Sequence, residues 1–262
     1  MTMKITNKTT IALVIPVYNE QARLSRTFST INSWHIPTGF KLTKIIFVND
    51  GSTDKSLELI RSSHLKYPKQ IISYRTNRGK GHAVKRGMLA STSDYTLLVD
   101  ADMSSPLDEF MKFIPLINKG FEIVIGTRKN GHSTVVRHQS LLRENMGKVF
   151  TLLSQIVLCV DVTDFTCGFK LFSRNAKNKI FKRSHINRWG YDSEILFLAN
   201  KLGLSLTEKA VIWANQKGSK VNLIKDTLIS LKELVQIRTN YFNGVYKVNQ
   251  NKSPDREAIL IS

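Results

Sequence analysis

Four short segments of this sequence concentrate the side chains that chemistry needs. They are Pro16-Val17-Tyr18-Asn19-Glu20, Asn49-Asp50-Gly51-Ser52-Thr53-Asp54, Asn77-Arg78-Gly79-Lys80-Gly81 and Asp100-Ala101-Asp102, and each follows an apolar run. The last is the sharpest. Two carboxylates at i and i+2 after a buried run leave charge where a purely structural segment would avoid it. One of them suits a hard divalent cation, and the other a ribose or a water. Each segment also has a plain structural reading. Asp50-Gly51-Ser52 makes a turn and a helix cap, Gly79-Lys80-Gly81 lacks the third glycine of a dinucleotide fingerprint, and the aspartate pair is a solvated strand end.

Such segments need a scaffold that gathers them. Ile11–Ile15, Lys44–Val48, Ile71–Tyr74 and Tyr95–Val99 read as short buried parallel strands. Between them lie helical spacings: Leu24, Phe28 and Ile31 within 20–33, Leu57 and Ile60 after an N-cap at Ser52, and a helix over 82–90. That alternation predicts an α/β fold with a mostly parallel central sheet flanked by helices. Ligands of such sheets bind beyond the carboxyl ends of the strands, where all four segments fall. Downstream, the spacing predicts a helix over 107–118, a strand over 122–126, a loop over 129–138 and a long helix over 140–159. A strand over 169–172, a helix over 191–201 and a strand over 206–213 follow. An amphipathic C-terminal helix over 223–242 carries Leu223, Thr227, Leu228, Leu231, Leu234, Val235, Tyr241 and Phe242. No repeat or low-complexity linker divides the chain. A single domain over 11–245 is expected, with a flexible N-terminus over 1–10, a disordered tail over 246–262 and fraying from Gln250.

Composition bounds the function. The 262 residues are 42% hydrophobic and 23% charged, which supports a sizeable core and excludes wholesale disorder. Lys and Arg number 39 against 20 Asp and Glu, and the resulting +19 points to an anionic partner: nucleic acid, a membrane surface or a phosphorylated substrate. Residues 128–220 hold the densest excess, 16 basic against 6 acidic groups. Within them Arg174, Lys177, Lys179, Lys182, Arg183 and Arg188 have no acid between them. This run is either a solvated helix and loop or a face toward anionic lipid headgroups. A nucleic-acid binder would interleave aromatics with the cations and carry a reading module. Only Phe181 lies among them, and such a protein leaves Asp100 and Asp102 unexplained. Cys159 and Cys167 form no disulfide framework and no zinc or redox pair, which fits a reducing compartment. The histidines, His82, His132 and His138 among them, lack metal-ligand spacing. The N-terminus MTMKITNKTT has no apolar signal core, and no window reaches the ~20 apolar residues of a membrane span. The sequence therefore predicts a cytoplasmic protein with at most peripheral membrane contact.

In their order, the four segments resemble the nucleotide-sugar half of glycosyltransferase family 2, an inverting family with the GT-A fold. The resemblance runs over roughly 11–240. Asp164-Phe165-Thr166-Cys167-Gly168-Phe169-Lys170 resembles the D-x-Q-C-G-F-K segment of polyprenyl-phosphate sugar synthases. Trp189-Gly190-Tyr191-Asp192-Ser193-Glu194 resembles their aromatic-x-x-D-x-E segment. Trp213 followed by Lys217-Gly218-Ser219-Lys220-Val221 is similar to the W…G-S-K-V stretch of the dolichyl-phosphate β-glucosyltransferase branch.

The resemblance implies one GT-A domain, with a nucleotide-sugar half over 11–127 and an acceptor half over 128–245. By motif, Pro16, Tyr18, Glu20 and Asp50 would line the nucleoside site beside Lys80, and Asp100 would sit near the ribose. Asp102, with Asp100, would hold Mg²⁺ or Mn²⁺ on the diphosphate. Arg128, Arg143, Lys170 and Lys220 would face donor or acceptor phosphates. Asp164, Asp192 and Glu194 would lie on the acceptor side, with Asp102, Asp192, Asp164 and Arg128 as the catalytic set. The implied reaction moves a hexose, glucose from UDP-glucose, to a dolichyl or undecaprenyl phosphate at an anionic membrane surface. A family member acting on a saccharide, lipid or protein hydroxyl is the alternative. An ionised phosphate acceptor needs no strong base, whereas a hydroxyl does. Homo-oligomers are compatible with all of this. Two positions depart from the pattern: Asn49 replaces a first Asp, and Thr166 replaces Gln.

Overall fold

The computed structural model describes residues 8–129, 135–137, 141–216, 223–247 and 259–261. Its centre follows from two-residue periodicity. In β1 (Thr9–Val17) Ile11, Leu13 and Ile15 enter one apolar cluster and Val14 the other, and in β2 (Phe40–Asp50) Ile45 and Phe47 alternate with Ile46 and Val48 in the same way. Strands buried on both faces require cover on each side. α1 (Gln21–Ser33) and α2 (Ser56–Ser62) supply part of it on one face, while α3 (Lys80–Ala90) packs against β1 and β2 on the other. β3 (Lys69–Tyr74) and β4 (Tyr95–Leu98) join in parallel, giving the order β3-β2-β1-β4.

The second half extends the sheet with a reversal that matters for the site. After a 3-10 turn (Leu107–Lys112) and α4 (Ile114–Asn118) come β5 (Ile123–Thr127), β6 (Val135–Arg137), α5 (Leu141–Leu158) and β7 (Lys170–Ser173). β7 lies antiparallel between β4 and β5, pairing Lys170 with both Leu98 and Ile125. An antiparallel insert starts where its parallel neighbours end. The residues before Lys170 are therefore delivered to the edge that carries Asp100, Asp102 and Arg128. α6 (Arg174–Phe181), α7 (Tyr191–Lys201), β8 (Leu206–Ala210), β9 (Trp213–Ala214), α8 (Leu223–Phe242) and β10 (Ile259–Ile261) complete the described elements. β8 adds parallel to β5, and the full order is β10-β3-β2-β1-β4-β7-β5-β8.

Several boundaries differ from expectation for identifiable reasons. Ser52 is not a helix cap, because its Oγ accepts the Asn19 N–H at 2.9 Å; α2 begins at Ser56, whose N–H goes to Asp54 Oδ1 at 2.9 Å. α3 starts at Lys80, since Gly79 turns the chain with φ 105°. The helix expected over 107–118 is two pieces, with Pro115 in the first turn of the second. The strand expected over 206–213 breaks after Ala210, where Glu109 Oε2 captures the Ile212 N–H at 2.9 Å. Trp213–Ala214 instead pairs with Val135–Arg137 in a separate two-stranded ribbon, inside the stretch expected to be a loop. Within the tail expected to be disordered, Ile259–Ile261 pairs antiparallel with β3.

The basic run over 174–188 is corrected at Lys177. Arg174 pairs with Asp94 at 3.1 Å. Lys177 is buried, with its Nζ donating to Ser91 O at 2.8 Å and Asn178 Oδ1 at 3.0 Å, and desolvation brings it down to about 8. Lys177 is thus part of the fold, whereas the Arg174 and Asp94 side chains remain about half exposed.

α5 and α8 pack on each other with an unusual polarity. α8 turns Leu234 and Ile237 inward, yet Leu228, Val235 and Phe242 are 62%, 62% and 72% exposed. α5 buries Thr151, Ser154 and Leu158 and leaves Val149, Leu152 and Ile156 facing out. The apolar set read from the sequence of α8 is thus divided between two faces. Among the described residues, no helix is long and apolar enough to cross a membrane.

Candidate functional site

The ends of β1 and β2 are stitched together before any ligand is considered. Asn19 takes a left-handed φ of 53° and its Oδ1 accepts the Thr53 N–H at 2.7 Å. Glu20 N–H donates to Ser56 Oγ at 2.7 Å, and its carboxylate meets Arg23 at 2.7 Å. Pro16 is buried in β1, and Tyr18 beside it is 39% exposed. Asn49, the departure from the family pattern, donates to Ser73 Oγ at 3.0 Å and accepts from Ser52 N–H at 3.3 Å. A neutral amide fits there because it can donate and accept at once inside a buried ladder.

Asp50 builds the next turn. It is 2% exposed and accepts the Arg78 N–H at 2.8 Å, the Gly79 N–H at 2.9 Å and the Asn77 amide at 2.8 Å. Burial pushes its carboxyl up, and those donors restrain the rise. Asp50 is thereby the buried post around which Asn77-Arg78-Gly79 wraps, and the turn presents Lys80 at the start of α3. Lys80 Nζ lies 2.6 Å from Asp100 Oδ1. Burial works against the Lys80 ammonium and would raise the Asp100 carboxyl, but the ion pair overrides both, raising Lys80 and lowering Asp100.

Asp100 is also pressed from below. A Cβ placed on Gly168 would collide with the Asp100 carboxylate, so only glycine lets the 164–170 segment pass this closely. Asp100, Ser104, Ser105, Gly168 and Trp213 line a small crevice at this point. Asp102 stands two residues on, its Oδ1 accepting the Ser104 N–H at 2.9 Å around Met103 at φ 49°.

The acceptor half supplies two further ion pairs. Arg128, leaving β5, grips Asp164 bidentately: Nε to Oδ2 at 2.7 Å and Nη2 to Oδ1 at 2.8 Å, with its N–H on Oδ2 at 3.1 Å. Nη2 also reaches Thr166 Oγ1 at 2.8 Å, and the guanidinium lies 5.2 Å from the Trp213 ring centroid. Asp164 is fully buried, which alone would raise it, but Arg128 holds it well below the usual carboxylate range. Planar, bidentate and stacked, this arginine is fixed in orientation. Thr166 keeps a hydroxyl on it. Lys170, 0% exposed, donates to Asp192 Oδ1 and to Cys167 O, each at 2.5 Å. Burial pushes Asp192 up against the pull of Lys170 and Lys80. Glu194 lies deeper, at 0% exposure, and serves the fold around it.

Thus Asp100, Gly168 and Trp213 line one crevice with Lys80 paired to Asp100, and Arg128, Asp164, Lys170 and Asp192 form two pairs at the same sheet edge. The side chain of Arg143 and the whole of Lys220 lie outside the described residues. Three contributors had no role assigned from the sequence, although Asn77 and Gly168 lie within its quoted segments. Asn77 organises Asp50. Gly168 admits Asp100. Glu208 accepts the N–H of Thr163 at 2.8 Å and of Asp164 at 3.1 Å, so fixing the Arg128 partner. Glu208 was visible only as an acid in an otherwise apolar-polar strand.

Among the described residues, no group of three or more His, Cys, Asp or Glu converges to enclose a metal. A cation bound chiefly through substrate phosphates needs only one or two carboxylates. Asp102 fits, because one oxygen is used by Ser104 and its other oxygen takes no hydrogen bond among the described residues. Asp100 Oδ1 is buried and, beyond its 2.6 Å ion pair with Lys80, has no hydrogen-bond partner among the described residues.

The chain matches Glycosyl transferase family 2 over residues 12–181. It is 34% identical over 250 residues to a dolichyl-phosphate beta-glucosyltransferase of Dictyostelium discoideum, covering 91% of this chain and 76% of that protein. The corresponding enzyme of Saccharomyces cerevisiae is 33% identical over 258 residues, covering 92% and 77%. Among solved structures, mannosyl-3-phosphoglycerate synthase from Rubrobacter xylanophilus superposes with TM-score 0.66 at 16% identity, covering 94% of this chain and 78% of that one. Glucosyl-3-phosphoglycerate synthase from Mycobacterium tuberculosis, in complex with Mn²⁺, UDP-glucose and phosphoglyceric acid, gives 0.62 at 16% identity, covering 93% and 81%. At such identities the structures speak for the fold alone: the sheet and the helices on its two faces are those of a GT-A domain. The family match extends over more than half of the chain, these two relatives exceed 30% identity over nine-tenths of it, and this protein belongs to glycosyl transferase family 2.

Proposed function

We propose that the protein is an inverting hexosyltransferase that moves glucose from UDP-glucose onto a polyprenyl phosphate, dolichyl or undecaprenyl, at an anionic membrane surface. The observation that carries the reading is the Lys80–Asp100 ion pair beside Asp102, at the strand ends of a chain one-third identical to dolichyl-phosphate beta-glucosyltransferases. In this reading the nucleoside lies along Pro16, Tyr18 and Glu20 above the Asp50 turn, with Asp100 near the ribose. Lys80 places a positive charge at the diphosphate end. Asp102, with Asp100 beside it, holds Mg²⁺ or Mn²⁺, which when bound neutralises charge on the departing nucleoside diphosphate.

The acceptor side follows from charge. A lipid monophosphate with a second pKa of about 6 is already largely ionised at neutral pH, so its attack requires orientation more than deprotonation. Arg128, fixed by Asp164 and Trp213, leaves Nη1 outside those bonds as a donor for that phosphate. Arg143 and Lys220 belong to the same acceptor set by motif. The outward apolar faces of α5 and α8 support lipid contact. Lys148 and Lys232 are exposed on those faces, and such cations near an anionic surface contribute about 1 kcal/mol each.

One observation favours the second reading, transfer to a hydroxyl. Burial raises Asp192, and a raised carboxylate is what a general base uses. Asp192→Asn separates the two, because an asparagine still accepts from Lys170 but cannot take a proton. Turnover that survives substantially with a polyprenyl phosphate supports the proposal. Turnover reduced by about a thousandfold or more shows that a base is required, and supports the hydroxyl reading.

A further inference from the structure

The segment 182–190, between α6 and α7, is the floor beneath the Gly79–Gly81 turn. A side chain at Gly79 would land on Asn187 O, and one at Gly81 would stand 2.5 Å from Ile186 O and 2.6 Å from Tyr191 Cβ. His82 N–H donates to Asn187 O at 3.1 Å, and Lys85 Nζ to Ser184 O at 2.6 Å. At Gly79 and Gly81 the backbone of the turn rests directly on the Ile186 and Asn187 carbonyls. A close-packed contact of this kind transmits displacement, so the turn that presents Lys80 follows the floor.

Two buried glutamates hold the floor in place. Glu194, in the first turn of α7, accepts the His185 N–H on one oxygen at 2.8 Å and the Ile186 N–H on the other at 2.9 Å. The Tyr246 hydroxyl, from the turn after α8, donates to the same carboxylate at 3.0 Å. Glu233, in the middle of α8, accepts the Gly190 N–H at 2.6 Å, and a Cβ on Gly190 would lie 2.7 Å from Glu233 Cβ. No ion pair of either glutamate occurs among the described residues. A carboxylate is costly to bury unless its hydrogen bonds are made; apart from one phenol, all these donors are N–H groups of the floor. α8 therefore reaches the donor side through both of its ends of contact, Glu233 and Tyr246.

We propose that Glu233 is a positioning residue for the donor site: with Glu194 it pins 185–190 under the Lys80 turn, so that the seating of α8 sets the geometry of the nucleotide pocket. This rests on the donor-site reading for the identity of the ligand, and on the hydrogen bonds alone for the mechanical link.

The test is amide hydrogen exchange on the full chain, comparing wild type with Glu233→Ala, Glu233→Gln and Tyr246→Phe, alongside UDP binding by calorimetry in the presence of Mn²⁺. Loss of one buried hydrogen bond is expected to speed exchange about tenfold, both at 185–190 and at the amides of 79–83, in Glu233→Ala. Tyr246→Phe, which keeps the ring, should do the same to a smaller extent. Glu233→Gln, whose amide oxygen still accepts from Gly190, should restore protection toward wild type, and the variants with faster exchange at 79–83 should bind UDP about fivefold more weakly. Amides of β1 and β2 should be unchanged, which excludes general unfolding. Faster exchange confined to 185–190, with 79–83 unaffected in both Glu233→Ala and Tyr246→Phe, overturns the proposal. Coupled exchange in a protein that binds no UDP leaves the link standing and removes the donor-site reading instead.

Discussion

Gly168→Ala is the change whose consequences the site specifies most closely. The added methyl overlaps the Asp100 carboxylate, which must swing away and lose its 2.6 Å contact with Lys80. The effect on stability should be small. Gly168 does not have a positive φ, so alanine meets no backbone strain, and the overlapping atoms are the free end of a side chain. The ion pair being lost has side chains 25% and 32% exposed, and solvent screening limits such a pair to about 0–1 kcal/mol. A cost near 1 kcal/mol corresponds to about 2–4 °C in Tm for a chain of this size. Binding should suffer more. If Asp100 and Lys80 each orient a polar group of the donor, misplacing one charged hydrogen bond costs about 1.5–3 kcal/mol, or roughly ten- to hundredfold in affinity. Calorimetry with UDP and Mn²⁺, beside a thermal melt, reads both quantities. Asp100→Asn added to Gly168→Ala should weaken binding little further, since the carboxylate has already been displaced. A Gly168→Ala protein that melts within a few degrees of wild type and binds UDP unchanged would show that the Asp100–Lys80 pair does not orient the donor.

Asp102→Ala should abolish the difference between UDP affinity with Mn²⁺ and with a chelator; persistent stimulation by Mn²⁺ moves the metal site elsewhere. Leu152→Asp and Val235→Asp, on the outward faces of α5 and α8, should each weaken sedimentation with anionic vesicles by about tenfold or more, since each removes the burial of an apolar side chain and adds a repelled charge. Full binding by both variants rules these faces out. Glu194 gives a pH signature. Burial lifts it to about 7 from 4.5, so its contribution is fully present below pH 4.5 and is lost as pH rises through 7, by about 3 kcal/mol. Glu194→Gln does not titrate. The wild-type advantage over that variant in urea unfolding should therefore shrink between pH 5 and pH 8, and parallel profiles contradict the assignment.

The donor half was legible because its strands carry their information locally. Ile11–Ile15 and Lys44–Val48 are apolar runs, and the polar segments after them sit at strand ends simply because the strands stop there. The acceptor half hid its logic in topology. Lys170 and Asp192 are 22 residues apart, and nothing local announces that β7 runs antiparallel and brings them to 2.5 Å. Asp50 reads from the sequence as a ligand-facing acid, whereas its oxygens are taken by the Arg78 and Gly79 N–H groups; a turn's backbone donors have no signature in residue type. Lys177 read as part of a solvated basic face, and its burial depends on α6 docking at the end of α3. The amphipathic spacing of α8 was visible, but period alone does not say which apolar stripe faces the core. Leu228, Val235 and Phe242 share a heptad spacing and all point outward, while the inward Ile237 was outside the expected set.

The proposed reaction is transfer of glucose to a lipid phosphate. It is tested by incubating the full chain with radiolabelled UDP-glucose, a short polyprenyl phosphate and Mg²⁺ or Mn²⁺, and partitioning the products between organic and aqueous phases. Label is expected in the lipid extract, dependent on the terminal phosphate of the acceptor and lost in Asp102→Ala. Label transferred only to water-soluble saccharide or protein, with none in the lipid phase, contradicts it.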